Sequence, residues 1–222
     1  MSVTQNLELI KQKIPENVTL VCVSKFHPDE TIMEAYQAGE RVFGESKVQE
    51  LIEKYNHLPK DIHWHFIGHL QTNKVKFLVP FVELIHGVDT LKLLHEINKQ
   101  AAKIHRKVNC LLQVHIATED TKFGFSSEEL TELFESGSIN SFEFINIRGI
   151  MAMATFTDNQ EQIRREFLEL KKLFDTIKNN YAANNPDFSE ISMGMSDDFQ
   201  LAIEAGSTMV RIGSSIFGHR VY

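Results

Sequence analysis

Cysteine is scarce in this chain, with only Cys22 and Cys110 among 222 residues. Both stand inside apolar runs, where a cysteine acts as a small buried hydrophobe. A disulfide framework would need more cysteines, and a four-ligand zinc site would need clustered ones. The composition therefore argues against both and predicts a fold that rests on an ordinary apolar core.

The chain also lacks a positive charge excess and any long apolar run. Its 23 basic and 30 acidic residues give a net charge of −7, which argues against a dedicated nucleic-acid surface. No run approaches the roughly 18 apolar residues of a membrane span. The opening residues, MSVTQNLELIKQK, contain no apolar signal core. We therefore expect a soluble cytoplasmic protein that binds neither membrane nor nucleic acid.

What the chain does have is a hydrophobic content of 42%, enough for a sizeable core at this length. No low-complexity linker or block of like charge divides it. The sequence therefore predicts a single domain over residues 1–222.

Strand-like and helix-like segments alternate along the whole chain. An amphipathic first helix carries Leu7, Ile10 and Ile14 at helical spacing. The predicted strands cover 18–24, 41–44, 63–67, 84–88, 108–116, 144–153, 190–193 and 208–212. The predicted helices that follow them cover 29–38, 47–55, 73–78, 90–105, 126–136, 160–181 and 197–204.

This alternation indicates an α/β fold with a mainly parallel sheet, and eight such units at this length are typical of a (β/α)8 TIM barrel. An open doubly wound sheet is the alternative. The Gly-rich fingerprint of dinucleotide-binding folds does not follow the first strand, so the pattern favours the barrel.

In a barrel of this kind, active sites form where the strands end. The residues that follow or close the predicted strands are Lys25, Glu45, Ser46, His65, Gly68, His69, Asp89, Thr118, Lys122, Met151, Met153, Gly194, Met195, Ser196, Arg211, Ile212, Gly213 and Ser214. His63 and His65 share a face and could suit a metal, but no carboxylate or cysteine follows at ligand spacing. Met151 and Met153 are more typical of barrel packing than of a cofactor contact.

The segments SMGMSDD (192–198) and VRIGSSIFG (210–218) place glycine and serine where the last two strands lead into helices. Glycine permits close backbone approach, serine supplies a hydroxyl, and exposed N–H groups receive an anion. Ordinary capping turns use the same residues. Two such clusters in the last two loops nevertheless favour a phosphate site.

Lys25 closes the first predicted strand, and a lysine there is ordinarily a solvated strand end. A phosphate site across the same barrel mouth changes this interpretation, because a phosphorylated carbonyl compound would then lie beside the amine. Burial near cations would lower the lysine pKa and favour a Schiff base. Bound pyridoxal phosphate (PLP) and a class I aldolase acting on a sugar phosphate both fit.

Six segments resemble the pyridoxal phosphate homeostasis protein family, which is similar to alanine racemases. They are VSKFHP (23–28), FGESKVQE (43–50), WHFIGHLQTNK (64–74), KFG (122–124), SMGMSDD (192–198) and VRIGSSIFG (210–218). The match runs in order over essentially the whole chain.

The resemblance implies a fold-type III barrel, like the N-terminal domain of alanine racemase, with PLP as a Schiff base on Lys25. It implies phosphate contacts at Ser196, Gly213 and Ser214, and an arginine, Arg211, that faces the pyridine nitrogen. Ser46 stands where family members usually carry asparagine, which puts the role of that position in doubt. We include Ser46, His65 and Met151 in the predicted cofactor site.

The predicted function is PLP binding for intracellular homeostasis or delivery of vitamin B6, without robust catalysis. An arginine beside the ring nitrogen disfavours its protonation and weakens the ring as an electron sink. An amino-acid racemase is the alternative. It needs a second acid–base group, which alanine racemases take from a C-terminal domain, whereas this chain ends at Tyr222 soon after the last predicted strand. We expect a monomer, with apo PLP-dependent enzymes as partners.

Overall fold

Parallel strands and the helices that connect them make up the fold. The computed structural model describes residues 2–117 and 123–218. The strands are β1 (Thr19–Val23), β2 (Val42–Glu45), β3 (His63–Phe66), β4 (Leu84–Val88), β5 (Val108–Gln113), β6 (Ile145–Met151), β7 (Glu190–Ser192) and β8 (Met209–Ile212). The helices are α1 (Val3–Lys11), α2 (Asp29–Gln37), α3 (Val48–His57), α4 (Val75–Leu78), α5 (Leu91–Lys103), α6 (Ser127–Glu135), α7 (Gln160–Asn180), α8 (Phe199–Glu204) and α9 (Ser214–Phe217).

The eight strands close into a barrel in the order of the sequence. Its last seam joins β1 to β8 in parallel, with Thr19 opposite Met209 and Cys22 opposite Ile212. This pairing confirms the predicted (β/α)8 barrel. The open doubly wound alternative is wrong, because an open sheet would leave two edge strands unpaired.

The barrel has an inner and an outer apolar core, because successive strand residues point to opposite faces. The outer core packs the strands against the helices and includes the fully buried Phe43, Trp64 and Phe66. The inner core is a smaller cluster formed by Val21, Leu84, Leu111, Met151 and Met209. Two residues further along several strands, the inner face becomes polar, and the site begins there.

Two predicted strands overrun the observed ones more than the others do. The strand predicted at 108–116 ends at Gln113, and the one predicted at 144–153 ends at Met151. The residues just beyond them, Val114 and Ala152, are buried although they lie outside the strands. An apolar run therefore continues past the sheet, and hydrophobic pattern alone does not separate a strand from the buried loop that follows it.

Most helices follow the predictions with shorter or divided ends, whereas α3 runs two residues beyond the predicted end at 55. The predicted helix 73–78 is a 3-10 turn, Thr72–Lys74, followed by α4. The predicted start of α6 is confirmed by a reciprocal capping box between Ser126 and Glu129. Within residues 2–117 and 123–218, no helix combines the length and apolar character that a membrane span requires.

Candidate functional site

A cavity of about 240 Å³ opens at the carboxyl end of the barrel, between β1 and the loops that follow β7 and β8. Five of the predicted site residues line it, namely Lys25, Ser196, Arg211, Gly213 and Ser214. They meet because β1 and β8 are hydrogen-bonded neighbours. The volume lies just below the roughly 300–1,000 Å³ of sites for drug-sized ligands, so the cavity suits a ligand with a single ring.

Larger cavities lie elsewhere on the surface. One of about 490 Å³ lies between the start of α5 and α6, and one of about 600 Å³ lies between the β6–α7 loop and α8. Neither has a lysine among its lining residues. We place the site in the smaller cavity because an amine, hydroxyls and a guanidinium converge there.

Lys25 lies in a tight turn at the end of β1 and is partly buried. The turn is closed by a hydrogen bond from His27 N to Ser24 O of 3.1 Å. Phe26, directly after Lys25, has a φ of 67°, a left-handed conformation that is unusual for an aromatic residue. The position of the Lys25 side chain therefore depends on a strained backbone.

The loops after β7 and β8 meet through a hydrogen bond of 3.3 Å from Gly213 N to Ser196 Oγ. Gly194 has a φ of 95°, and a Cβ there would lie 2.6 Å from the Cβ of Ala202. Glycine is therefore required where the first loop passes α8. The second loop leads into α9 at Ser214, and the first N–H groups of a helix have no acceptor within the helix. Together the two loops offer hydroxyls and backbone donors to an anion.

Arg211 is the buried cation of the cavity wall. Nη1 donates to the carbonyl and hydroxyl oxygens of Ser192, at 2.9 and 2.6 Å, and Nη2 donates to Ala152 O at 3.1 Å. Nε has no hydrogen-bond partner in the described part of the chain, so it remains available to a ligand. Burial lowers the pKa of Arg211 to about 10, and the side chain therefore stays charged at neutral pH.

A buried polar chain runs from Arg211 into the barrel. Ser192 Oγ lies 3.0 Å from His86 Nδ1, and His86 Nε2 lies 3.0 Å from His65 Nδ1. Burial lowers the pKa of His65 to about 3 and that of His86 well below its usual value, so both rings are neutral. Because Arg211 can only donate, the Ser192 hydroxyl hydrogen is available to His86. These hydrogen bonds fix the Arg211 guanidinium from the side of the barrel interior.

Sequence reasoning missed His86 and Ser192. The alternation of side chains along a strand could have found them, because both stand on the inner face of their strands, as His65 and Arg211 do.

A second buried polar group lies behind the Lys25 turn. Glu45 Oε1 accepts hydrogen bonds from Ser24 Oγ at 2.6 Å and from Lys54 Nζ at 2.8 Å. Lys54 Nζ also donates to Glu50 Oε1 at 2.7 Å. Burial raises the pKa of Glu45 to about 7, and Lys54 only partly offsets it. Glu45 is among the strand-end residues predicted from the sequence, but its contacts with Lys54 and Glu50 were not predicted; the i,i+4 spacing of Glu50 and Lys54 on α3 was the available signal.

Three predicted site residues do not line the cavity. His65 and Met151 lie deeper in the barrel, His65 against His86 and Met151 in the inner apolar cluster. Ser46 lines a different cavity, together with Phe66 and His69. Met153, interpreted from the sequence as packing, is half exposed and lines the Lys25 cavity instead. The candidates Thr118 and Lys122 lie outside the described residues.

The donors present fit PLP. Its aldehyde requires an amine, its phosphate requires hydroxyl and backbone donors, and its pyridine nitrogen requires one polar partner. Lys25, the Ser196–Gly213–Ser214 loops and the Nε of Arg211 offer these groups within one cavity.

Comparison with known proteins agrees with this chemistry. The family model of the alanine racemase N-terminal domain matches residues 2–221. The pyridoxal phosphate homeostasis protein of Aquifex aeolicus is 43% identical over 206 residues, which cover 91% of this chain and 87% of that protein. The protein of the same name in Escherichia coli is 35% identical over 237 residues, which cover 99% and 97%.

Solved structures show the same relationship. PipY of Synechococcus elongatus, determined without PLP, superposes with a TM-score of 0.91 at 32% identity, over 98% of this chain and 100% of that chain. The structure of PipY with PLP bound gives 0.87 at 31% identity, with the same coverage. An alanine racemase of Clostridium difficile, at 15% identity and a TM-score of 0.77, shares the fold. The chain therefore belongs to the alanine racemase N-terminal domain family and, within it, to the pyridoxal phosphate homeostasis proteins.

Proposed function

We propose that the chain binds PLP in the Lys25 cavity and serves intracellular PLP homeostasis by holding the cofactor and releasing it to apo-enzymes. The observation that carries the proposal is the convergence of Lys25, Arg211 and the Ser196–Gly213 contact on one cavity of about 240 Å³. The relatives named for PLP homeostasis and the PipY structure with PLP bound support it. The proposal includes the monomeric state and the cytoplasmic location expected from the sequence.

Lys25 holds the cofactor covalently in this proposal. Its neutral amine attacks the aldehyde carbon, a C=N bond replaces C=O, and the oxygen leaves as water. Ser196, Gly213 and Ser214 bind the phosphate through hydroxyl and N–H groups. Arg211 directs Nε to the pyridine nitrogen while its two Nη atoms remain bound to Ser192 and Ala152. We assign no contact to Ser46, which lines another cavity.

Arg211 also supports storage over catalysis. Bound PLP supplies an electron-withdrawing ring, and the strength of that ring as an electron sink depends on a protonated pyridine nitrogen. The buried charge of Arg211 disfavours a second positive charge beside it. Arg211 itself holds its proton at neutral pH, since its pKa lies near 10. The residues at the ring therefore keep the cofactor bound without strongly activating it.

Borohydride trapping tests the covalent link. Protein loaded with PLP and then reduced should carry a pyridoxyl group on the peptide that contains Lys25, as located by mass spectrometry. Lys25→Ala should carry none. Lys74→Ala, which removes an exposed lysine from the rim of a neighbouring cavity, should be labelled like the wild type. A label confined to another lysine would contradict the proposal.

Delivery is tested with a defined apo-enzyme and a phosphatase that destroys free PLP. The loaded protein should restore more activity than the same amount of free PLP does. Equal restoration would reduce the role to simple release. Loss of optical activity from L-alanine at catalytic protein concentrations would instead favour the racemase alternative.

A further inference from the structure

The backbone that carries Lys25 is held in a conformation that its own sequence does not favour. The Ser24–His27 hydrogen bond and the positive φ of Phe26 together form a type II-like turn, in which glycine or asparagine ordinarily occupies the third position. A phenylalanine there is strained, and such strain persists only where the surroundings fix it. The fixing contacts lie outside the turn.

The peptide groups on both sides of Lys25 are bound by α3. On one side, Lys54 Nζ donates to Ser24 O at 2.8 Å. On the other, Phe26 N donates to Glu50 Oε1 at 2.6 Å. Lys54 and Glu50 are themselves 2.7 Å apart, so one ion pair on α3 holds both ends.

Glu45 anchors this pair to the barrel. It stands at the end of β2, is fully buried, and accepts through Oε1 from Lys54 and from the Ser24 hydroxyl. The three ammonium hydrogens of Lys54 are thereby used, on Ser24 O, Glu45 and Glu50. Glu45 Oε2 is buried without a partner within the described residues.

This arrangement is poorly explained as a source of stability alone. Burial of an ammonium and a carboxylate costs solvation, and well-packed apolar side chains often stabilise a fold as much or more. Buried ion pairs are better attested as devices that select one local conformation. Here the selected conformation is that of the turn that carries the reactive lysine.

We infer that Lys54, with Glu45 and Glu50, positions Lys25 for reaction with the aldehyde of PLP. The inference rests on the proposed function. Lys54 is not among the residues that line the cavity, so it acts through the turn and contacts neither the ring nor the phosphate.

Two ligands separate positioning from general binding. PLP reacts with Lys25, whereas 4′-deoxypyridoxine 5′-phosphate has the same ring and phosphate but no aldehyde. For Lys54→Met, we expect the Kd for PLP to rise about tenfold, because charged hydrogen bonds to the turn are lost. The rate at which PLP reacts with Lys25, followed by the change in PLP absorbance, should fall to a similar degree. The Kd for the deoxy analogue should change less than about twofold, while the induced circular dichroism of bound PLP should decrease.

Glu50→Ala provides a second variant, because Glu50 is partly exposed and its loss leaves the Glu45–Lys54 pair in place. It should show the same selective effect on PLP. Glu53→Ala removes an equal charge from the exposed face of α3 and should behave as the wild type.

Equal weakening of both ligands in these variants, or no weakening of PLP, would overturn the inference and leave the proposed function intact. A wild-type protein that binds neither ligand would instead overturn the proposed function, and the inference with it.

Discussion

His65 and His86 are buried as neutral rings in the barrel interior, and this makes the fold sensitive to acid. Below a pH of about 6.5, an unfolded chain gains a proton at each histidine, whereas the folded chain does not until far lower pH. Their contribution to stability is therefore present above pH 6.5 and lost as the pH falls towards 3. Glu45, whose pKa is raised to about 7, acts in the opposite direction between about pH 4.5 and 7.

His65→Gln isolates one of these contributions. The buried His65 should lower the free energy of unfolding by roughly 1.4 kcal/mol per pH unit between pH 6.5 and 4. In His65→Gln, the free energy of unfolding should therefore fall less steeply as the pH is lowered, by about that amount per pH unit. Urea denaturation of the cofactor-free protein at several pH values measures it. His95→Gln, at an exposed position on α5, should keep the wild-type slope. An unchanged slope in His65→Gln would contradict a neutral buried ring.

At the scale of elements, β6 is shaped by a bulge. Cys110 pairs with Ile147 but Leu111 pairs with Gly149, so β6 contains one extra residue at this point. Gly149 has a φ of 151°, and a Cβ there would lie 1.8 Å from Glu190 O on β7. The close approach of the two backbones requires glycine. The bulge resets the register of β6, and directly after that strand Ala152 O accepts a hydrogen bond from Arg211 Nη2.

Gly149→Ala should therefore destabilise the barrel by about 3 kcal/mol or more, because the backbone strain and the clash with β7 add. Thermal or urea denaturation measures the loss. The matched control is Gly39→Ala, which has a positive φ of 98° but no atom within 4 Å of the added Cβ. That variant should lose only about 1–2 kcal/mol. Similar losses in both variants would show that strain alone, without the clash, sets the cost.

At the scale of the whole molecule, the seam between β1 and β8 assembles the candidate site. Lys25 and Arg211 are far apart in sequence, and parallel pairing places the ends of their strands side by side. A ligand that bridges Lys25 and the β7 and β8 loops would join both sides of this seam. Its binding should stabilise the barrel as a unit. The prediction of a monomer built from one domain over residues 1–222 stays a prediction.

PLP at about 100 times its Kd should add about 2.7 kcal/mol to the free energy of unfolding. For a chain of this length, that corresponds to a rise in Tm of roughly 5–11 °C. Differential scanning calorimetry with and without PLP measures it. Lys25→Ala should keep a smaller rise from phosphate binding alone. A wild-type Tm that does not respond to PLP would contradict cofactor binding to the folded state.

The alternation of apolar segments was sufficient to predict the eight strands, the barrel and most helix positions. Motifs at the strand ends identified five residues that line the cavity. Strand ends were less accurate at β5 and β6, because Val114 and Ala152 are buried in loops and look like strand residues. Ser46 lines another cavity, which its place after β2 does not reveal, and its predicted cofactor contact stays a prediction.

What the sequence by itself determined was the order of strands and helices and the chemistry at each strand end, because hydrophobic period and residue type are local properties. Only the tertiary structure decided which of those ends share a cavity. The His65–His86–Ser192–Arg211 chain and the Lys54 contacts to the Lys25 turn depend on closure of the barrel and on the direction of side chains across it. Such contacts join residues distant in sequence, and no local pattern encodes the distance between them.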